Sequence, residues 1–303
     1  MAESERTKRY IIPRPRNWYN FSVALFVAFG SLSYGYASSI SAAVIGAPAW
    51  YSYMNLEQGS SYTTSIIGVI NCIYSIGGML GCYYNMWAAD YFGRKRSIQM
   101  ACVMAIVSAG LMAGSVDVPM FCVTRVLMGF AIGILVTLVP LYQSEVSPAE
   151  SRGLMVGLHG VLIGFSYSLT GFVSYAASYS SNGAFQWRFP LAVQAVWPLI
   201  LLIGMFFLPY SPRWLLAQGR TEEAWETTRR LHANKKDPND DYARHEFRQM
   251  SEQIKFEREH QATGVLSQAR LAFSKKSFQK RLALGFLVQA GNQFCGPLGT
   301  HIS

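Results

Sequence analysis

Two basic side chains, Arg125 and His159, interrupt the long apolar stretches of this sequence, where few residue types could carry chemistry. Arginine keeps its charge at physiological pH, whereas histidine can exchange a proton near neutrality. Asp and Glu are absent from the interior of these stretches and occur only near their ends. Because proton movement across a membrane needs a titratable group at membrane depth, this distribution argues against a carboxylate proton relay.

Amide side chains in the same stretches could contact a solute. Gln194 lies in the middle of the sixth stretch, and Asn292 and Gln293 lie in the last one. Such a group must hydrogen-bond either to a polar solute or to a neighbouring helix, and both interpretations stay open. Arg125 is likewise either a structural charge or a gating group. The candidate solute-binding residues are Gln194, Asn292, Gln293 and His159.

Charged motifs mark three alternate connections between the apolar stretches. They run from Asp90 to Lys95, from Glu145 to Gly153 and from Pro209 to Arg213. Ion pairs at such positions could hold one conformation of a moving protein closed. Three motifs at alternate connections are more specific than any one of them.

No residue pattern indicates catalysis or a bound cofactor. The sequence has no nucleophile–base pair, no phosphate-binding loop and no cluster with metal-ligand spacing. We therefore expect no enzyme, no metal site and no cofactor. The five cysteines include no CxxC pair and are interpreted as small buried hydrophobic residues.

The elements that must position these residues are membrane helices. The chain is 51% hydrophobic and only 14% charged, against about 25% charged in soluble domains. This composition excludes a disordered chain and disfavours a soluble globule, since too few charges remain to cover its surface. The net charge of +9 falls in short segments separated by long uncharged gaps, which favours a membrane protein and argues against nucleic-acid binding.

We predict an all-α membrane protein with six complete transmembrane helices and the start of a seventh, because a helix needs about 20 apolar residues to cross a bilayer. The predicted spans are Tyr19–Val44, Thr63–Asn85, Ile98–Val116, Met120–Tyr142, Leu154–Ser178 and Trp187–Leu208. Lys and Arg are concentrated on one side, which predicts a cytoplasmic N-terminus. The predicted organisation is a cytoplasmic tail (1–18), a six-helix domain (19–208), a cytoplasmic helical loop (209–281) and a truncated seventh helix (282–303).

The loop carries its own helix signals. Glu222 and Glu223 in a first turn, with Arg229 and Arg230 in a last turn, match the helix macrodipole. A second helix is predicted from Tyr242 to about His260, where apolar residues share one face.

Glycines recur four residues apart in several of the predicted spans. The pairs are Gly77 and Gly81, Gly129 and Gly133, Gly153 and Gly157, and Gly160 and Gly164. Faces of this kind let two helices approach closely, so we expect the pairs to serve helix packing.

These motifs resemble those of the sugar porter family of the major facilitator superfamily, particularly its fungal members. The matching runs are Arg125 to Gly153, Asp90 to Lys95, Gln186 to Arg188 and Ser211 to Arg213, and the resemblance extends from about Asn20 to Gly296. It implies transport of a monosaccharide or related polyol by alternating access, with lipid as the surroundings and the plasma membrane as the location.

The resemblance also implies a role for the charged motifs. In this family they form an intracellular network that closes the cytoplasmic side, and the long loop corresponds to the family's intracellular helical domain. Tyr210 stands where the family usually has Glu, which predicts a weaker closure. The residues that match the network are Asp90, Gly93, Arg94, Glu145, Arg152 and Arg213.

Two further departures from the family bear on coupling and on the solute. Ala37 stands where proton-coupled relatives have Asp, which favours facilitated diffusion. Gly160 stands where many members carry a sugar-binding Gln, which disfavours an ordinary hexose.

The family architecture implies two six-helix halves with the substrate held between them near the midplane. The chain is therefore predicted to be an incomplete transporter whose partner is a missing C-terminal half. The alternatives are a non-transporting membrane fragment and a nutrient sensor built on the same fold.

Overall fold

A computed structural model describes residues 18–148, 152–233, 237, 239–260 and 276–294. The described residues form helices and their connections, without a β-strand. The chain divides into two compact units, Met1–Arg248 and Gln249–Ser303. The helices are α1 (Trp18–Val27), α2 (Phe29–Ile45), α3 (Pro48–Tyr53), α4 (Ser61–Tyr91), α5 (Arg94–Ala113), α6 (Val118–Val146), α7 (Arg152–Ser178), α8 (Gly183–Val193), α9 (Val196–Phe207), α10 (Pro212–Ala217), α11 (Thr221–His232), α12 (Asp241–His260) and α13 (Lys276–Phe294).

Six helical segments of the first unit are long and apolar enough to cross a membrane. The prediction of an all-α membrane protein with six complete spans is therefore confirmed. The observed segments are Trp18–Ile45, Ser61–Tyr91, Arg94–Ala113, Val118–Val146, Arg152–Ser178 and Gly183–Phe207.

The sixth span is broken in its middle, where α8 ends at Val193 and α9 begins at Val196. Pro198 explains the break, because a proline ring in a helix clashes with the carbonyl four residues earlier. That carbonyl belongs to Gln194, which adopts the cap position between the two helices. The break therefore puts an amide side chain at an irregular point of the span.

Two of the glycine pairs join α4 to α6. A Cβ atom on Gly77 would overlap the Val126 carbonyl oxygen, and one on Gly81 would overlap that of Phe130. On the other helix, a Cβ on Gly133 would lie 2.9 Å from the Gly78 Cα. Backbone therefore meets backbone along this interface, and the packing prediction is confirmed for α4 and α6.

The glycines of α7 have different surroundings. Among the described residues outside the α7 backbone, no heavy atom would lie within 4 Å of a Cβ atom on Gly153, Gly157, Gly160 or Gly164. The opposite side of α7 packs against α2, where the glycine belongs to α2. A Cβ on Gly35 would lie 2.7 Å from the Ile163 carbonyl oxygen. The packing prediction is therefore wrong for the α7 glycines within the described residues, because the close approach between α2 and α7 is made by the glycine of α2.

The loop after the sixth span contains α10, α11 and α12. Ser211 caps α10 by accepting a hydrogen bond from the Trp214 backbone N–H at 3.3 Å. The first turn of α11 is acidic and its last turn is basic, as the macrodipole predicts. The predicted second loop helix is α12, which begins one residue earlier, at Asp241.

The predicted seventh helix corresponds to α13 in the second unit. It begins at Lys276, six residues before the predicted start at Leu282, and is described as far as Phe294. The predicted tail up to residue 17 and the end of the chain beyond residue 294 lie outside the described residues.

Candidate functional site

The charged motifs meet at one end of the six-helix bundle, which we call the charged end (Asp90, Gly93, Arg94, Lys95 and Glu145). Arg94 begins α5, and its guanidinium lies 2.9 Å from the Asp90 carboxylate and 3.1 Å from that of Glu145. It also donates a hydrogen bond to the Ala89 carbonyl at 3.0 Å. One cation therefore ties the connection between α4 and α5 to the C-terminal end of α6.

The two carboxylates around Arg94 are not equivalent. The Glu145 side chain is 5% exposed and the Arg94 side chain 12% exposed, whereas the Asp90 side chain is 78% exposed. Exposed ion pairs contribute about 0–1 kcal/mol, but removing one partner of a buried pair is far more destabilising. Glu145 is therefore the partner on which the geometry of the charged end depends.

Asp90 contributes more through its backbone than through its carboxylate. Its carbonyl accepts a hydrogen bond from the Trp214 indole N–H at 3.0 Å and from the Gln218 amide at 3.1 Å. Gly93 adopts a φ of +84°, a conformation that favours glycine, and a Cβ there would lie 2.8 Å from the Trp214 ring. The missing side chain of Gly93 thus makes room for α10 against the charged end.

Lys95 ties the charged end to the end of the sixth span. Its ammonium donates hydrogen bonds to the Leu208 carbonyl at 2.6 Å and to the Phe206 carbonyl at 3.3 Å. These carbonyls belong to the last turn of α9 and to the C-cap residue that follows it, where helix ends leave carbonyls unpaired and favour cations. The ammonium also lies 5.0 Å from the centre of the Tyr210 ring.

The other two predicted members of the network have fewer described contacts. Arg152 begins α7 with its side chain exposed, and its backbone N–H donates to the Pro148 carbonyl at 3.0 Å. Arg213 lies half-buried in the first turn of α10. The structure thus brings Asp90, Gly93, Arg94 and Glu145 together, and the closing role of these four residues and of Arg152 and Arg213 stays a prediction.

Arg125 lies inside the bundle and is 1% exposed. Its guanidinium donates a hydrogen bond to the Ala37 carbonyl at 3.3 Å and lies 4.9 Å from the centre of the Tyr74 ring. Its Nε has no hydrogen-bond partner among the described residues. The neighbours of this buried cation are therefore a backbone carbonyl and an aromatic face, and no carboxylate lies within ion-pair distance in the described part of the chain.

His159 and other polar groups of α7 hydrogen-bond to α2. The His159 Nδ1 lies 2.6 Å from the Ser31 hydroxyl, and Ser39 donates to Thr170 at 2.8 Å. Ser166 donates to a backbone carbonyl of α2 at 2.7 Å. His159 is half-buried, so its ring lies at the edge of this polar contact.

The three predicted amides have different locations. Gln194 is 2% exposed, and neither atom of its amide has a hydrogen-bond partner among the described residues. Asn292 and Gln293 lie in the last turn of α13, where the described part of the chain gives only the backbone. The solute-binding assignment of all three stays a prediction.

A group of tyrosines is a candidate site that the sequence analysis missed. The Tyr74 phenol of α4 lies in the neighbourhood of those of Tyr34 in α2 and Tyr167 in α7, so three spans bring phenols to one region. The Ser38 hydroxyl lies 3.2 Å from the Tyr74 hydroxyl. Hydroxyl groups and aromatic faces together suit a polyhydroxylated solute. The sequence signal that could have revealed this site was the presence of a tyrosine in each of three different spans.

Comparison with known proteins decides the family. The family model described as "Sugar (and other) transporter" matches residues 23–298, which is most of the chain. The chain belongs to this transporter family. Its sequence resemblance to the sugar porters of the major facilitator superfamily is thereby confirmed.

Fungal proteins are among the relatives of this transporter-family chain. It is 32% identical over 264 residues to "MFS-type transporter criB" of Aspergillus cristatus, covering 87% of this chain and 54% of the relative. It is 31% identical over 278 residues to "MFS glucose transporter mfs1" of Aspergillus flavus, covering 89% of this chain and 51% of the relative. The chain thus spans about half the length of these curated relatives.

Solved structures support the same fold. A structure of the proton:xylose symporter XylE of the major facilitator superfamily matches with a TM-score of 0.71 at 23% sequence identity, covering 80% of this chain and 54% of that chain. A partially occluded, inward-open structure of XylE from E. coli gives a TM-score of 0.69 at 24% identity, covering 80% and 60%. At this identity the likeness shows the fold of the transporter-family chain and nothing finer.

Proposed function

We propose that this chain supplies the amino-terminal half of a transporter that moves a monosaccharide or related polyol across a membrane by alternating access. Membership of the sugar transporter family supports the solute class, and a length of about half that of the relatives supports the missing second half. The observation that carries the proposal is the charged end, where Arg94 joins two connections through partly buried ion pairs. Such contacts are strong enough to hold one state and few enough to break in a cycle.

We further propose facilitated diffusion rather than proton coupling. Arg125 is buried beside the Ala37 carbonyl and the Tyr74 ring, and arginine does not release its proton. The interiors of the six spans contain no Asp or Glu that could carry a proton at membrane depth.

The solute surface of this half is proposed to include the tyrosine group and His159. The phenols of Tyr34, Tyr74 and Tyr167 offer donors, acceptors and ring faces in one region. Gln194, Asn292 and Gln293 remain proposed contacts, with Gln194 requiring a movement that exposes its buried amide. The proposed role is transport, with no enzyme activity, no cofactor and no nucleic-acid partner.

The proposed orientation puts the N-terminus, the charged end and the loop helices in the cytoplasm. The concentration of Lys and Arg in the connections on that side supports this topology. The proposed location is the plasma membrane.

The test is uptake of radiolabelled glucose, xylose and sorbitol by cells that lack their own hexose transport and express a complete open reading frame containing this chain. We expect saturable uptake of at least one solute, unchanged by a protonophore, and no uptake by the 303-residue chain alone. Loss of uptake with the proton gradient would contradict facilitated diffusion. A complete form that moves none of these solutes would contradict the proposed solute class.

A further inference from the structure

The Tyr210 ring lies among cations and a second aromatic ring just after the sixth span. The Lys95 ammonium lies 5.0 Å from the ring centre, and the Arg220 guanidinium lies 5.8 Å from it. The Trp214 ring is stacked on Tyr210 with centres 5.6 Å apart and planes 23° apart. Three segments of the chain therefore meet at one half-buried phenol ring.

We propose that Tyr210 is a positioning residue that holds α10 and the start of α11 against the charged end by binding Lys95 and Arg220 through its aromatic face. The two cations come from different elements, since Lys95 lies in the first turn of α5 and Arg220 immediately precedes α11. A single ring that attracts both cations joins the loop to the bundle without an acidic side chain.

The surroundings of the Lys95 ammonium explain why the aromatic ring of Tyr210 is a suitable partner for it. The ammonium donates two of its three hydrogens to the Leu208 and Phe206 carbonyls, and these uncharged acceptors leave its positive charge uncompensated. The negative face of an aromatic ring attracts this charge without requiring an ion pair. Because the ring has no net charge, the contact is short-ranged and responds less to salt than a carboxylate would.

The neighbouring contacts give the ring a fixed position. Trp214 stacks on Tyr210 and also donates its indole N–H to the Asp90 carbonyl at 3.0 Å. The Tyr142 hydroxyl donates to the Pro209 carbonyl, next to Tyr210, at 2.6 Å. The backbone and one face of the ring are thus both anchored to the six-helix bundle.

This inference goes beyond the proposed function, because it concerns how the loop is held and does not depend on any solute. Its readout is hydrogen exchange of the amides of Gln218, Gly219 and Arg220 in the 303-residue chain in lipid nanodiscs. These amides donate to carbonyls of α10 at 2.9–3.1 Å, so they exchange when the end of α10 unwinds, which we expect to happen more often once α10 is no longer held. Amides of α6 in the same sample report whether the bundle stays folded.

The decisive experiment replaces Tyr210 with phenylalanine and then with mono-, di- and trifluorinated phenylalanine. Fluorine weakens the negative face of the ring while nearly keeping its shape. We expect Y210F to exchange within about twofold of the original chain, and each added fluorine to speed exchange, up to about tenfold for the trifluorinated ring. In Y210L, the three loop amides are expected to exchange at least as fast as in the trifluorinated variant, while the exchange of the α6 amides stays unchanged.

A salt series separates the ring contact from an ion pair. Raising KCl from about 0.05 M to about 1 M is expected to leave the exchange rate of the original chain within twofold, whereas Y210E should exchange several-fold faster at high salt. The proposal is overturned if the fluorinated series exchanges at one rate. It is also overturned if Y210L protects the three amides as well as tyrosine does.

Discussion

Gly77 and Gly81 of α4 are separated by the same four-residue step as Gly160 and Gly164 of α7, yet their surroundings are opposite. The glycines of α4 meet backbone atoms of α6, where any added Cβ would overlap. Within the described part of the chain, Cβ atoms added at the α7 positions would have no neighbour within 4 Å outside their own helix. The four-residue spacing of glycines thus predicts that a helix face is able to pack closely, whereas the rest of the fold determines whether another helix lies against that face.

The difference also shows how α7 is held without its own glycines. Gly35 of α2 packs against its backbone, and its own side chains such as Ser166 and His159 hydrogen-bond to α2. Both interfaces also carry hydrogen bonds, since Asn85 of α4 donates to the Ile134 carbonyl of α6 at 3.0 Å. Glycines of both α4 and α6 meet the partner backbone, whereas at α7 the close approach is made by Gly35 of α2, so a Cβ atom added to an α7 glycine should be less damaging.

The largest loss of stability is expected for Gly133→Ala in α6. The new Cβ would lie 2.9 Å from the Gly78 Cα and would overlap the Gly78 carbonyl oxygen, and neither backbone atom can rotate away. We expect the free energy of unfolding, measured by SDS titration of the chain in mixed micelles, to fall by about 3 kcal/mol. Unchanged stability would mean that α4 and α6 lie farther apart than the structure has them.

Glu145→Gln is expected to have the next largest effect. Glu145 of α6 pairs with Arg94 at the start of α5, and the variant leaves a largely buried guanidinium with a neutral partner. We expect a loss of about 2 kcal/mol in the same titration. Asp90→Asn is the matched control, because the side chain of Asp90 is 78% exposed. This variant should lower the free energy of unfolding by less than about 1 kcal/mol. Equal losses in both variants would contradict the distinction between the two carboxylates.

Ser166→Ala tests the polar contact of α7 with α2. The variant removes the hydroxyl that donates to the Leu32 carbonyl at 2.7 Å in a buried position. A loss of about 1 kcal/mol is expected, because the carbonyl would be left without this donor. Ser168 is exposed on the same helix and provides the control. The free energy of unfolding of Ser168→Ala should lie within about 0.5 kcal/mol of that of the original chain.

The smallest effect is expected for Gly160→Ala, the counterpart of the α6 substitution. The added methyl group meets nothing within 4 Å, and alanine favours the helix by up to about 1 kcal/mol over glycine. The variant should therefore unfold at the same or slightly higher SDS fraction. A loss of more than about 1 kcal/mol would show that the open face of α7 is packed within this chain, and the comparison with α4 would fail.

The sequence was sufficient to predict the six spans and the loop helices α11 and α12, but not the short helix α3 or all of the contacts between helices. Six spans follow from apolar length, and the charges of α11 follow from the macrodipole. The contact between Ser31 and His159 joins residues 128 positions apart and leaves no local pattern. The bond from Trp214 to the Asp90 carbonyl was equally hidden, because every residue offers a backbone acceptor.

The break in the sixth span was readable but was missed. Pro198 carries the signal, since its ring excludes the carbonyl of Gln194 from a regular helix. The tyrosine group was missed for another reason, because phenols in apolar stretches look like ordinary packing until three spans bring them together. Prediction of the candidate site therefore depended on knowing which helices are neighbours.

The buried Arg125 has a consequence for how the chain enters the membrane during synthesis. An arginine in a transmembrane helix adds up to about 2.5–3.5 kcal/mol, the value at the helix centre, to the apparent free energy of insertion by the translocon. The span that carries it has the highest mean hydropathy of the six, 2.2. Its carbonyl and aromatic partners belong to α2 and α4, which are made before α6. The order of synthesis thus delivers the partners before the charge arrives.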